Sequence, residues 1–208
     1  MPQTLVVENP EMLERGADTS ESAGPTERRW TRDEYYRLAS QGYFDGQRVE
    51  LIEGRIIRMS AQGLPDTQCV GLLQEYLSGV FKTGHWVRVQ MPFRAADGSD
   101  PEPDLSVVQG SIRTPRTTHP TTALLIVEVA DTSLKLHRAK ARIYAASGIA
   151  DYWIVNLLDG TIEVSRDPIA GASPTSPAYA STRLLGRNDA ISPLAAPAAV
   201  VTVTDLLP

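Results

Sequence analysis

Three ionisable side chains, Asp104, Glu128 and Lys140, stand at spacings that can bring them to one place. Asp104 opens the strand pattern Leu105-Ser106-Val107-Val108, behind the phrase Pro101-Glu102-Pro103. Glu128 lies inside Leu124-Leu125-Ile126-Val127-Glu128-Val129, an apolar strand whose alternation puts Leu124, Ile126 and Glu128 on one face. A carboxylate so placed must be paired, hydrogen-bonded or bound to a metal. Lys140 falls on the following helix, within an inward stripe of Leu136, Ala139, Ile143 and Ser147 and beside Tyr144. Two chemistries suit such a group. The carboxylates can hold a hard divalent cation while the lysine orients a water or neutralises an anion. Alternatively, Glu128 and Lys140 form a buried ion pair and nothing more.

The elements that must position these groups are legible on either side. Asp131, Thr132 or Ser133 can cap the lysine-bearing helix, Gly148 can end it, and Arg138 and Arg142 point away from its stripe. Upstream, Thr31-Arg32-Asp33-Glu34 is a capping box that predicts a helix from Thr31 to about Ala39. Arg48 to Ile52 and Arg55 to Met59 flank Glu53-Gly54 as a β-hairpin. Glu50 on that hairpin is either an exposed position or a further acidic group near the site. A long helix is expected after Asp66, with Gly84 closing it, followed by a strand over Val87 to Phe93. Residues 109–120 read as a Thr/Pro/Arg-rich connection that is either a substrate-facing flap or a plain loop.

Asp151 to Asn156 and Thr161 to Ser165 read as strands joined through Asp159-Gly160. Residues 167–180 read as a mobile loop, and Ala199 to Val203 as a last strand. Residues 1–28 read as a disordered tail ahead of one domain over 29–208. Intermixed helices and strands predict an α/β (α+β) class with one mixed central β-sheet flanked by helices.

Composition removes several alternatives. No apolar run approaches the roughly 20 residues that span a bilayer, and no export signal is visible, so the expectation is a cytoplasmic protein without a membrane partner. The single cysteine, Cys69, sits in an apolar helical pattern and rules out a disulfide framework. His85, His119 and His137 show no metal-ligand spacing and are expected on solvated loops or helix surface. Tyr144, Tyr152 and Trp153 are expected in the core or an interface. The net charge of -5 opposes strong nonspecific attraction to nucleic acid. Between residues 111 and 142, however, Arg113, Arg116, Lys135, Arg138, Lys140 and Arg142 oppose only Glu128 and Asp131, so a local basic surface is open. No phosphate-binding glycine loop, nucleophile elbow or zinc motif is present.

Five phrases in order carry a resemblance. They are Arg48-Val49-Glu50-Leu51-Ile52-Glu53-Gly54, Pro101-Glu102-Pro103-Asp104-Leu105, Glu128-Val129, Lys140 with Tyr144, and Gly148 to Val155. Together they resemble the Uma family of bacterial restriction endonucleases, within the PD-(D/E)XK nuclease superfamily, across roughly residues 30–208. The resemblance implies a restriction-endonuclease-like core that hydrolyses DNA phosphodiester bonds. It implies Asp104 and Glu128 as ligands of Mg2+ (or Mn2+), with the Val129 carbonyl and Glu50 as further metal contacts. It implies Lys140 as the residue assisting the attacking water, because Ala130 occupies the superfamily's usual lysine position. DNA as substrate and a homodimer are implied as well. The histidine that the family often carries near the start of the long helix has no counterpart at Asp66 or Thr67. That absence, the acidic pI and Ala130 support an alternative, a nuclease-fold module for DNA binding, regulation or assembly without turnover.

Overall fold

The structure is a computed structural model and describes residues 26–171 and 176–208. The expected tail therefore lies outside the described residues except for 26–28.

Six strands form one sheet in chain order: β3 (His85–Val89), β4 (Leu105–Gln109), β5 (Leu125–Ala130), β6 (Asp151–Asn156), β7 (Thr161–Ile169) and β8 (Ala178–Leu185). Neighbours are antiparallel except β5 and β6, which run parallel. A parallel pair needs a crossover, and helix α3 (Leu134–Ala146) supplies it. That single crossover delivers Lys140 to the sheet face that carries Glu128.

Alternation along β5 sorts the core into two layers. Leu125, Val127 and Val129 face helix α2 (Leu64–Val80), where they pack with Cys69, Leu73 and Leu77. Ile126 and Ala130 face α3, where they pack with Ile143, Tyr144, Tyr152 and Ile154. Glu128, being even-numbered, is committed to the α3 side. Leu124, expected on that side too, packs against the α2 cluster because it precedes the strand and escapes its alternation.

Helix α1 (Arg32–Ser40) begins at the Thr31 and Glu34 capping box. It leads into a separate two-stranded hairpin, β1 (Val49–Ile52) and β2 (Arg55–Arg58). Glu53 and Gly54 both take positive φ, 49° and 74°, as a tight hairpin turn of this twist requires. The hairpin is held down at several points. The Tyr35 hydroxyl donates to the Val49 carbonyl (3.0 Å), the Glu53 N–H donates to the Ser99 hydroxyl (2.8 Å), and the Asp100 N–H donates to the Leu51 carbonyl (2.8 Å). Docking in this way buries Glu50 and Leu51.

Four boundaries differ from expectation. Helix α2 starts earlier, at Leu64, because Pro65 suits a first turn and the Asp66 carboxylate accepts the Gly63 N–H at 3.1 Å. Strand β3 stops at Val89, because Gln90 turns to a φ of 51° and leaves the ladder. Of residues 167–180, those up to Ile169 belong to β7 and those from Ala178 to β8, while 172–175 lie outside the described residues. The end of the chain forms only a two-residue strand, Val201–Thr202, before a 3-10 turn over Val203–Leu206 that seats Val203 and Leu206 in the core.

Candidate metal centre

The site forms where β4 and β5 part company. Their pairing ends at Leu105 and Val127, so Val129 has no strand partner on that side. The Asp104 carboxylate takes its place and accepts the Val129 N–H at 2.8 Å. Gln62 and Gln90 approach its other oxygen, each at 3.3 Å. Burial, reinforced by the charge of Glu128, pushes the Asp104 carboxyl up to about 6.

Glu128 is almost wholly enclosed, and each of its oxygens has company. One accepts from the Tyr144 hydroxyl (2.8 Å) and from the Lys140 amine (3.1 Å). The other lies 3.3 Å from Nδ1 of His137. Burial alone would raise this carboxyl, but Lys140, His137 and the Tyr144 hydroxyl together hold it below the ordinary range. Lys140 is fully buried, and its amine also lies 2.7 Å from Glu50. Burial would strip its proton, yet the two carboxylates win and raise its pKa. Glu50 shows the opposite balance. Burial and the nearby Glu128 charge push it up to about 7 despite the lysine.

His137 was expected at the helix surface, and the structure corrects this: it is only 3% exposed. The inward stripe of α3 is His137, Lys140, Ile143 and Tyr144, whereas Ala139 is exposed and Leu136 only half-buried. The expected stripe was one position off, because a sequence period fixes the pitch of a helix better than its rotation. Tyr152 anchors that rotation by donating from its hydroxyl to the His137 carbonyl at 2.8 Å. Ser133 Oγ lies 2.7 Å from His137 Nε2. Burial holds the imidazole below its ordinary pKa, against the opposing pull of the Glu128 charge.

Asp104, Glu128 and His137 therefore each offer a ligand atom, and these atoms lie within 4.8 Å of one another. Two hard oxygen donors and one imidazole nitrogen fit a divalent cation, and the site's carboxylates outnumber its lysine. Glu50 is not among these three donors; it pairs with Lys140 and lines the same cleft. Val129 lines the same cleft as these three side chains. The group opens into a cleft of about 520 Å³ whose rim includes Arg48, Arg58, Asp66, Glu102 and Asp131.

Half of the six cations between residues 111 and 142 are paired within the chain. Arg138 pairs with Glu163, Arg142 pairs with Glu53, and Lys140 is enclosed. Among the described residues no helix is long and apolar enough to cross a membrane.

A structure solved by crystallography, described as "a putative nuclease belonging to DUF820 from Anabaena variabilis ATCC 29413", is similar to this one. It superposes with a TM-score of 0.66 at 16% sequence identity, over 85% of this chain and 96% of that one. The likeness establishes a nuclease-type fold. A search of curated proteins returns no match. The family described as "Uma2: Putative restriction endonuclease" matches residues 32–204, nearly the whole described chain, and this protein belongs to that family.

Proposed function

We propose that the protein is a metal-dependent endonuclease that hydrolyses DNA phosphodiester bonds. The observation that carries this reading is the convergence of Asp104, Glu128 and His137 on one point, with the Lys140 amine bonded to Glu128. Asp104 and Glu128 would hold Mg2+ or Mn2+, with the Val129 carbonyl as a further oxygen. A divalent cation there supplies a polarised phosphate oxygen and a more acidic water.

The chain's own residues do the rest. Lys140 keeps its proton, so it acts as a fixed cation rather than a base. Its amine donates to Glu128 and is ion-paired with Glu50, and a remaining N–H would orient the attacking water. Glu50 holds the lysine in place and contributes acidic charge to the wall of the cleft. Arg48 and Arg58 at the rim suit backbone phosphates. Binding through so few cations should be modest and strongly salt-dependent. A cytoplasmic homodimer, able to cut both strands, completes the reading.

The test is metal-dependent cleavage of plasmid and single-stranded DNA by purified protein, with Glu128→Ala as control. Cleavage that persists in that variant would sink the assignment. One observation favours a second reading, a nuclease-fold module that binds DNA without cutting it. Lys140 is enclosed and doubly paired, as a purely structural lysine would be. Salt-sensitive DNA binding with no cleavage under any divalent ion would establish that reading instead. Light scattering that shows a monomer at high concentration would remove the dimer.

A further inference from the structure

We infer that His137 makes this a mixed nitrogen–oxygen metal site, which selects a first-row transition cation such as Mn2+ or Co2+ over Mg2+ or Ca2+. The inference rests on the metal reading above and deepens it.

Three observations converge. First, Nδ1 of His137 is buried and has no hydrogen-bond partner among the described residues. A buried polar atom left in this state costs free energy that a ligand would recover. Second, that nitrogen faces a carboxylate oxygen of Glu128 at 3.3 Å. A bare lone pair opposite a carboxylate oxygen is repulsive, so something positive belongs with the two. The separation is close to the edge of a coordination polyhedron, about 3 Å between neighbouring ligands that each stand about 2.1 Å from an octahedral ion. Third, Ser133 Oγ, 2.7 Å from Nε2, can take the proton there and leave Nδ1 as the free donor. This is how ligating histidines are commonly oriented.

The donor chemistry then decides the class of ion. Imidazole suits transition cations, whereas Mg2+ and Ca2+ prefer oxygen alone. Mg2+ also gives up its waters reluctantly, and a buried three-donor group asks it to lose several. His85 and His119 cannot supply the nitrogen, because they pack against Phe81 and Tyr36 elsewhere.

The experiment uses the full chain, stripped of metal and loaded with less than one equivalent of Mn2+. Pulsed electron paramagnetic resonance reads coupling to nitrogen-14, and titration against Mg2+ reads relative affinity. Expected are a clear nitrogen coupling and Mn2+ held at least about tenfold more tightly than Mg2+. In His137→Gln the coupling should vanish and Mn2+ affinity should fall by about tenfold or more, with Mg2+ affinity changing less than about threefold. Circular dichroism of the metal-free variant checks that it folds, and the wild-type spectrum tests the inference without any variant. Mn2+ bound without nitrogen coupling would mean that Nδ1–H simply donates to Glu128, and would overturn the inference. Coupling that survives in His137→Gln would overturn it too. Nitrogen-coupled Mn2+ in a protein that leaves DNA intact would sink the nuclease reading and keep this one.

Discussion

Lys140 on α3 and Glu50 on β1 meet at 2.7 Å, an ion pair between two elements that share no strand pairing. Both partners are enclosed. Removing one therefore leaves an uncompensated charge in a medium that solvates it poorly. Lys140→Met keeps the apolar stem and deletes only that charge. At pH 8 it should cost about 3–5 kcal/mol in a urea melt, and clearly less at pH 5.5, where Glu50 can take up a proton. Cleavage should be lost with metal binding retained, and Lys140→Ala should behave likewise. Full specific activity in the folded fraction of either variant would reduce Lys140 to a structural role.

Metal-free protein should lose stability as pH rises through the weakly acidic range. Glu50 shifts from 4.5 to about 7 on folding and Asp104 from 3.8 to about 6, so the native state binds the extra protons. Their contribution is complete below about pH 4 and gone above about pH 7. Glu128 and His137 are held below their ordinary values and work in the opposite sense, favouring the native state as pH rises. Asp104→Asn should flatten the fall between about pH 4 and 6, a change that chemical denaturation across that range would read.

A divalent cation should reverse that loss, because it binds the ionised carboxylates that folding otherwise disfavours. At a hundredfold excess over Kd the rise in melting temperature should be about 5–10 °C near pH 7.5, and smaller at pH 5.5. Asp104→Asn should abolish the increment. The same variant should melt no lower than wild type in EDTA at pH 8, because the amide oxygen can still accept the Val129 N–H. An Asp104→Asn protein that kept the metal-induced rise would move the site elsewhere.

Tyr144→Phe isolates one hydrogen bond, the 2.8 Å contact to Glu128. The phenyl ring still fills the space between Phe93 and Tyr152. A hydrogen bond to a buried charge should cost about 1.5–3 kcal/mol when removed. Arg138→Gln, which deletes the pair between an exposed guanidinium and the buried Glu163, should leave the metal response untouched. A Tyr144→Phe protein as stable as wild type would show that Glu128 does not depend on its hydroxyl donor.

Much of this centre could be read in the sequence, and the reasons differ by residue. Glu128 was legible because a carboxylate inside an unbroken apolar strand has few acceptable surroundings. Lys140 was legible by the same logic on a helix. His137 was not legible by motif, because its partners come from strands distant in the chain and, of the charged residues, only Lys140, three residues on, shares its helix face. Once Lys140 is taken as inward, positions three before and four after it share its face, and these are His137 and Tyr144. Glu50 could not be resolved at all. The hairpin alternates in a way that leaves either face open to solvent, and its burial comes from the Ser99 and Asp100 contacts, which no local pattern announces. The long β7–β8 pairing was hidden by Asp167, Pro168 and Gly171, residues that ordinarily mark a loop.

The crossover that carries α3 also sets when the centre can come into being. Glu50, Asp104 and Glu128 leave the ribosome before Lys140 does, and the hairpin bearing Glu50 docks on Ser99 and Asp100, well ahead of the lysine in the chain. A nascent chain that ends before α3 can gather carboxylates but has nothing to neutralise them, so the acidic cluster opposes its own assembly. Closure of this centre is thus a late event in synthesis that joins distant segments. A chain truncated before residue 140 would carry the acidic groups of a nuclease without the means to bring them together.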